Sequence, residues 1–157
     1  MLKPEEIRKY KLFSSLGEAE LTHIAKLCTR RTYERGTVVF GPDTPTSEIF
    51  ILEEGADVLV IEVPISNEEK IVIHTLSKGE AFGWLSMGKP YIKTAIARCI
   101  DRITVICIEV DRLKHLLEAD KNTGYEVMKN LVEIISSRLS FTTIVFRNEI
   151  QKLKRIS

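Results

Sequence analysis

The side chains that most readily do chemistry are few in this sequence and badly spaced for it. Cys28, Cys99 and Cys107 are an odd number with no two within four positions of each other. They read as reduced thiols of a cytosolic protein, not a disulfide framework, and each is expected to serve as a small buried hydrophobe. His23, His74 and His115 fall on a predicted helix, strand and helix without metal-ligand spacing. Ser14-Ser15, Ser136-Ser137 and the acids form no nucleophile–base pattern. The sequence therefore reads as neither an enzyme nor a metal protein. Gly79-Glu80-Ala81-Phe82-Gly83 is a run bounded by glycine, and Trp84 after it offers a large apolar area with one donor. Tyr91 and Lys93 would share a strand face, because side chains alternate with period two.

Composition describes an ordinary folded chain. Of 157 residues, 44% are hydrophobic and 29% charged, which excludes disordered and collagen-like classes. That length suits one compact domain with an appended helix, and its core needs neither metal nor disulfide. No apolar run approaches the roughly 18 residues of a membrane span. The opening Met1-Leu2-Lys3-Pro4-Glu5-Glu6 is too acidic and polar for a signal peptide, so the expected location is the cytoplasm. The formal charge of +1 names no partner, but its distribution is uneven. Residues 43–80 hold nine acids and two bases, and residues 138–157 hold five bases and one acid. The acidic stretch is unhelpful to an anionic ligand, unless it is solvated surface. The basic tail is either a solvated helix end, favoured by the helix dipole, or a weak docking patch for a protein partner.

Three zones must position these residues. Residues 1–28 read as helical: Ser15-Leu16-Gly17-Glu18 has capping-box spacing, and Leu21, Ile24, Ala25 and Cys28 follow at helical intervals. Residues 30–108 read as short strands. Apolar, β-branched runs at 37–40, 49–52, 58–61, 71–73, 94–100 and 103–108 are separated by Gly36, Gly41-Pro42, Gly55, Ser66-Asn67, Gly79, Gly88 and Asp101-Arg102. Even, close spacing predicts an all-β barrel or jelly roll with flanking helices, not βαβ units.

Residues 111–154 return to helix. Asp111 is placed to cap a short helix carrying Leu113, Leu116 and Leu117, and Asn122 or Thr123 to start a long one. From Met128, alternate steps of four and three select Met128, Val132, Ile135, Leu139, Thr142, Phe146, Glu149 and Leu153, apolar except at Thr142 and Glu149. That is a coiled-coil seam. A second stripe, Val127, Leu131, Ile134, Phe141 and Val145, lies beside it. One stripe can pack on the β unit while the other meets the same helix of a second copy, which predicts a homodimer. The alternative is a helix buried in its own domain. The expected division is a β-roll with N-terminal helices over 1–120 and a dimerisation helix over 121–157.

In this order and spacing the chain resembles the cyclic-nucleotide-binding domain, in particular the effector half of bacterial regulators of the catabolite-activator (CRP/FNR) family. Leu12-Phe13-Ser14-Ser15-Leu16 is similar to that family's opening "LFxxL". Gly36, Gly55 and Gly79 stand at strand turns, where a positive φ favours glycine. Phe82-Gly83 matches the start of its phosphate-binding cassette, and Pro90, Thr94 and Ala97 match the end. The resemblance implies a double-stranded β-helix (jelly-roll) barrel followed by a long dimerisation helix. It implies a phosphate met by a short helix N-terminus and backbone N–H groups, an arginine fork on that phosphate, and a glutamate on the ribose hydroxyl.

The residues it implies are only partly present. Trp84 stands at the glutamate's position and cannot accept a hydrogen bond. The arginine falls at Tyr91 counting back from Thr94 and Ala97, and near Lys93 counting forward from Phe82-Gly83. Lys93 would bring a point charge without the bidentate fit. Arg138-Leu139-Ser140-Phe141-Thr142-Thr143 resembles the long-helix stretch where catabolite activators carry a Thr-Ser pair against adenine. That implies base contacts for Thr142 and Thr143, the alternative being a threonine that only tunes seam register. Three scattered cysteines fall short of the usual four ligands of an iron–sulfur sensor. A histidine-ligated haem is a lesser alternative.

These readings combine into a non-enzymatic sensor or regulatory module, signalling through its dimer helix. Its effector, cyclic AMP or another small molecule, is expected between barrel and helix at Gly83, Trp84, Ser86, Tyr91, Lys93, Thr142 and Thr143. Two alternatives stay open: a constitutive dimerisation scaffold with a vestigial nucleotide site, and the effector half of a DNA-binding transcription regulator. Family relatives bind DNA through a helix-turn-helix domain after the long helix. The tail Gln151-Lys152-Leu153-Lys154-Arg155 is too short to read DNA sequence. No DNA-binding domain and no membrane contact are expected in this chain.

Overall fold

The structure, a computed structural model, describes residues 1–42, 46–54, 59–88 and 95–156. A helical lead-in consists of α1 (Pro4–Ile7), a 3-10 turn (Lys11–Phe13) and α2 (Glu18–Ala25). Eight strands follow among the described residues: β1 (Cys28–Tyr33), β2 (Val38–Phe40), β3 (Glu48–Glu54), β4 (Leu59–Pro64), β5 (Lys70–Leu76), β6 (Ala81–Phe82), β7 (Ile96–Cys99) and β8 (Ile103–Glu109). Helices α3 (Val110–Ala119) and α4 (Lys121–Ile156) come last. Among the described residues no helix is long and apolar enough to cross a membrane.

All pairings are antiparallel, in two sheets ordered β1-β8-β3-β6 and β2-β7-β4-β5. This is the jelly-roll layering expected from the strand spacing. Strands β3 and β8 read as continuous apolar runs because they are buried on both faces. Phe50, Leu52, Phe82, Ile103, Val105 and Cys107 face the second sheet, where they meet Phe40 and Ala97. Their neighbours Ile49, Ile51, Ile106 and Ile108 face the helices, where Leu12, Phe13, Leu21, Ile24, Leu113, Val127 and Leu131 cover them. The Phe50 and Phe82 rings stack with centroids 5.0 Å apart, and Phe40 lies against both. So a dry aromatic layer sits between the sheets and an aliphatic layer sits under the helices.

Several boundaries move for local reasons. Helix α2 ends at Ala25, and Cys28 opens β1 instead of closing a helical stripe. The polar Thr29-Arg30-Arg31-Thr32 becomes a strand because β8 supplies its register at the sheet edge. Gly17 is the N-cap of α2, without a side-chain cap. Ser15 is used elsewhere: Asn130 Nδ2 donates to Ser15 Oγ (2.9 Å) and to the Leu12 carbonyl (3.1 Å), pinning α4 to the lead-in. Glu109, not Asp111, is the N-cap of α3. Helix α4 starts at Lys121, where the Asp120 carboxylate accepts from Thr123 N (3.2 Å) and Thr123 Oγ1 (2.8 Å). Gly124 is what lets α3 and α4 approach, since a Cβ there would lie 2.5 Å from the Leu117 carbonyl oxygen. Gly36 and Gly79 have φ of 83° and 93°, as their turns require; Gly55 lies outside the described residues.

Part of the acid excess over residues 43–80 is met by bases from elsewhere in the chain. Arg30 makes a bidentate pair with Glu53 (Nε–Oε2 2.8 Å) and reaches Glu6 (2.7 Å). Arg31 forks onto Glu48 at 2.8 and 3.0 Å. Buried Glu62 lies 3.3 Å from Lys70 Nζ and 3.4 Å from Arg98 Nε.

Candidate ligand site

Two neighbouring features of the fold could take a ligand, and β6 connects them. The first is the turn after β6. Gly83 has φ 76°, and a Cβ there would come within 2.9 Å of Phe50 Cδ2 and 3.1 Å of the Glu48 carbonyl oxygen. Only glycine passes so close to β3. A 3-10 turn (Trp84–Met87) follows. Ser86 is buried, and its hydroxyl lies 2.7 Å from the Gly83 carbonyl and 3.2 Å from that of Glu48. Its single proton serves one or the other, so Ser86 holds the turn against β3. Trp84 is half-buried and packs with Met87 against the helix-side core. Tyr91 and Lys93, with Pro90 and Thr94, lie outside the described residues.

The second feature is a cleft of about 510 Å³ between α4 and the roll. Ile51 and Ala81 line it from the sheet and Ile134, Arg138 and Phe141 from α4, and Tyr10, His74 and Glu80 are among its polar wall groups, with Lys11, Glu133 and Ser137. Glu80 is the hub. Its Oε2 accepts from the Ser77 backbone N–H at 2.6 Å. His74 Nε2 lies 3.2 and 3.3 Å from its two oxygens, and Arg138 Nη2 lies 3.5 Å from Oε1. The His74 ring meets the Phe141 ring edge-on, centroids 5.4 Å apart. Burial, and then the charge of Arg138, lower the His74 pKa against the opposing pull of Glu80. Burial likewise lowers that of the Arg138 guanidinium. With His74 neutral, Nε2–H faces Glu80 and Nδ1 is a lone-pair acceptor. The next turn of α4 carries Thr142, half-buried, and Thr143, exposed, whose hydroxyl donates to the Leu139 carbonyl at 2.9 Å.

A family model described as the cyclic nucleotide-binding domain matches residues 30–120, more than half of the chain. The chain belongs to the cyclic nucleotide-binding domain family. Among solved structures, a cyclic nucleotide-binding protein from Geobacter metallireducens GS-15 is 27% identical with a TM-score of 0.70, covering 88% of this chain and 99% of that one. The catabolite activator protein of Thermus thermophilus is 17% identical with a TM-score of 0.68, covering 93% of this chain and 62% of that one. At that identity the likeness is one of fold. A potassium channel protein of Rhodopseudomonas palustris is 24% identical over 121 residues, 77% of this chain and 28% of its own length. This chain thus spans little more than a quarter of that curated relative.

For a cyclic nucleotide-binding domain, the residues named from sequence fall into two groups. Gly83, Trp84 and Ser86 share one turn, while Thr142 and Thr143 sit on α4 beyond the cleft. The sequence reading did not single out Arg138, Glu80, His74 or Tyr10 as ligand residues. Arg138 and Phe141 do stand in the stretch that resembles the family's base-contacting helix, and Glu80 in the glycine-bounded run. A glutamate beside a turn glycine and an arginine on a helix are too common to read as partners. His74 and Tyr10 carry no signal at all until β5 and the lead-in meet around β6.

Proposed function

We propose that this chain is a non-enzymatic, ligand-responsive regulatory domain in which occupancy beside α4 changes how α4 pairs with a second copy. The carrying observation is that α4 has two duties at once. It walls the cleft through Ile134, Arg138 and Phe141, and it presents apolar seam residues to solvent, Leu139, Phe146 and Leu153 being 65, 65 and 67% exposed. A helix displaced at one face is displaced at the other, which is the mechanical link a sensor needs. Met128 and Val132 are exposed along the same seam, and Ile135 and Thr142 are half-buried. The family's cyclic nucleotide, cyclic AMP first, is the proposed effector. Gly83, Trp84, Ser86, Thr142 and Thr143, with Tyr91 and Lys93 from the segment between β6 and β7, are proposed to line its site. The dimerisation unit is residues 121–157 and the β-roll unit residues 1–120. A cytoplasmic setting accords with the three thiols, which burial pushes up to about 12, 11 and 12 at Cys28, Cys99 and Cys107, leaving them inert at neutral pH. Regulation of transcription as part of a longer chain accords with the catabolite-activator fold.

Native mass spectrometry with and without cyclic AMP tests this. A dimer that carries nucleotide supports the reading. A dimer indifferent to cyclic AMP and to a panel of small effectors supports a constitutive scaffold instead. A monomer at every concentration ends it. Val132→Lys with Leu139→Lys places repelling charges on exposed seam positions and should yield a folded monomer. These two are better than Ile135, which also packs on the chain's own core.

A further inference from the structure

We propose that His74, Glu80 and Arg138 form an acid-released latch between the roll and α4. Protonation of His74 frees Arg138 from Glu80 and loosens α4 where its uncovered half begins. The latch is internal to one chain and needs no ligand. It deepens the proposed function, and only its effect on helix pairing rests on that reading.

Three elements meet at the latch. His74 stands on β5, Glu80 on the turn before β6 and Arg138 on α4, and the side chains of His74 and Arg138 are only 10 and 12% exposed. Among the described residues Glu80 is the only hydrogen-bonding partner of either side chain. The Ser77 backbone N–H fixes that carboxylate from behind at 2.6 Å. Other charged groups nearby are matched among themselves. Lys11 of the lead-in pairs with Glu133 of α4 at the rim. On β4, Ile61 stands opposite His74, and Glu62 beside it is held by Lys70 and Arg98. Tyr10 brings only a neutral phenol, its hydroxyl buried without a partner. One carboxylate therefore serves the whole cluster.

With His74 neutral, Glu80 faces a single cation, and the Arg138 contact ties helix to roll. An imidazolium changes the count, because two buried cations then share one carboxylate. Geometry decides which of them yields. His74 Nε2 lies 3.2 and 3.3 Å from the two Glu80 oxygens, while Arg138 Nη2 lies 3.5 Å from one, long for a charge-assisted bond. His74 is also held in a strand, whereas Arg138 is a long side chain beside the exposed Leu139 and can swing to water. A second observation favours opening. His74 Nδ1 is buried without a partner, so the second N–H of an imidazolium finds no acceptor while the cluster stays closed. The titration agrees in sign. Burial, and then Arg138, hold His74 below its ordinary value of 6.5, and opening removes the second cause. A group with the lower pKa in the closed state takes up its proton by opening, by up to about tenfold per unit of difference.

Hydrogen exchange of the full chain, read by mass spectrometry on peptides spanning residues 134–145, tests the latch between pH 7.5 and 5.0. After correction for the intrinsic rate, exchange in this part of α4 should be about threefold to tenfold faster at the lower pH. His74→Gln should hold it constant. Glu80→Gln removes the shared carboxylate and should give the fast rate already at pH 7.5, with no further rise in acid. His23→Gln, on α2, should behave as wild type. In wild type the NMR midpoint of the His74 ring proton should coincide with the midpoint of the exchange change. Exchange that is flat with pH overturns the proposal, as do a rise that persists in His74→Gln and two midpoints that differ. Sedimentation over the same range separates the latch from the proposed function. A dimer dissociation constant that rises along with the exchange rate supports both. Faster exchange with unaltered pairing supports the latch and overturns the link from α4 displacement to pairing.

Discussion

The two halves of α4 are built from the same kinds of residue and meet different fates. In the first half Thr123, Gly124, Val127, Asn130 and Leu131 are buried. In the second, Leu139, Phe141, Ile144, Phe146, Ile150, Leu153 and Ile156 are exposed. Length explains the difference. Thirty-six residues at the α-helical rise reach about 54 Å, nearly twice the roughly 30 Å diameter of a small domain. The helix-side face of the roll can cover only the first part. An apolar stripe that outruns its own domain is the physical ground on which the proposed pairing rests, and the cleft with Arg138 lies where the covered and uncovered parts meet.

That contrast can be broken at either end, and the largest effect is expected in the covered half. Leu131→Ala should cost about 2–5 kcal/mol in urea unfolding, because it empties a site under the helices. The same truncation at Leu139 should change the stability of dilute, monomeric protein by within about 0.5 kcal/mol. Equal losses at the two positions would show that the second half is packed within one chain. Asn130→Ala removes the donor that ties α4 to Leu12 and Ser15, leaving the Leu12 carbonyl without that partner, and should cost about 1–3 kcal/mol by the same measurement. Gly83→Ala combines a positive φ with a clash on Phe50 and should cost a similar 1–3 kcal/mol. It should leave seam pairing intact, so a loss of dimer in this variant would tie the turn to α4.

A smaller effect should appear with pH. The folded His74 pKa lies below the ordinary histidine value of 6.5, first because of burial and then because of Arg138. Below that ordinary value the unfolded chain takes up a proton before the folded one does. Stability should therefore fall as pH drops from about 6.5 towards the depressed value, by less than about 1.4 kcal/mol per pH unit. His74→Gln should flatten this part of the profile. An unchanged slope would place the titration elsewhere.

Much of this was legible before folding. Strand runs and turn glycines at even spacing marked the roll, and two apolar stripes marked the long helix α4. Those signals survive because period two and period 3.6 are local properties of the chain. Strand β1 was not legible, because Thr29-Arg30-Arg31-Thr32 has no apolar alternation and is held by its pairing with β8. The Ser15 capping box was misleading for a related reason. Its hydroxyl is claimed by Asn130, more than a hundred residues later in the chain, and no local pattern reveals such a competitor.

Residue types along the chain were enough for the family, for the order of helix, roll and helix, and for the apolar periodicity of α4. Each of those depends on residue type at fixed intervals along one chain. Only the tertiary structure decided which acids are neutralised, where Trp84 lies, and that Tyr10, His74, Glu80 and Arg138 surround one cleft. Electrostatics and burial act through space at a few ångströms, and the residues they join are far apart in sequence. Such pairings become visible once the sheets have brought the chain's distant segments together.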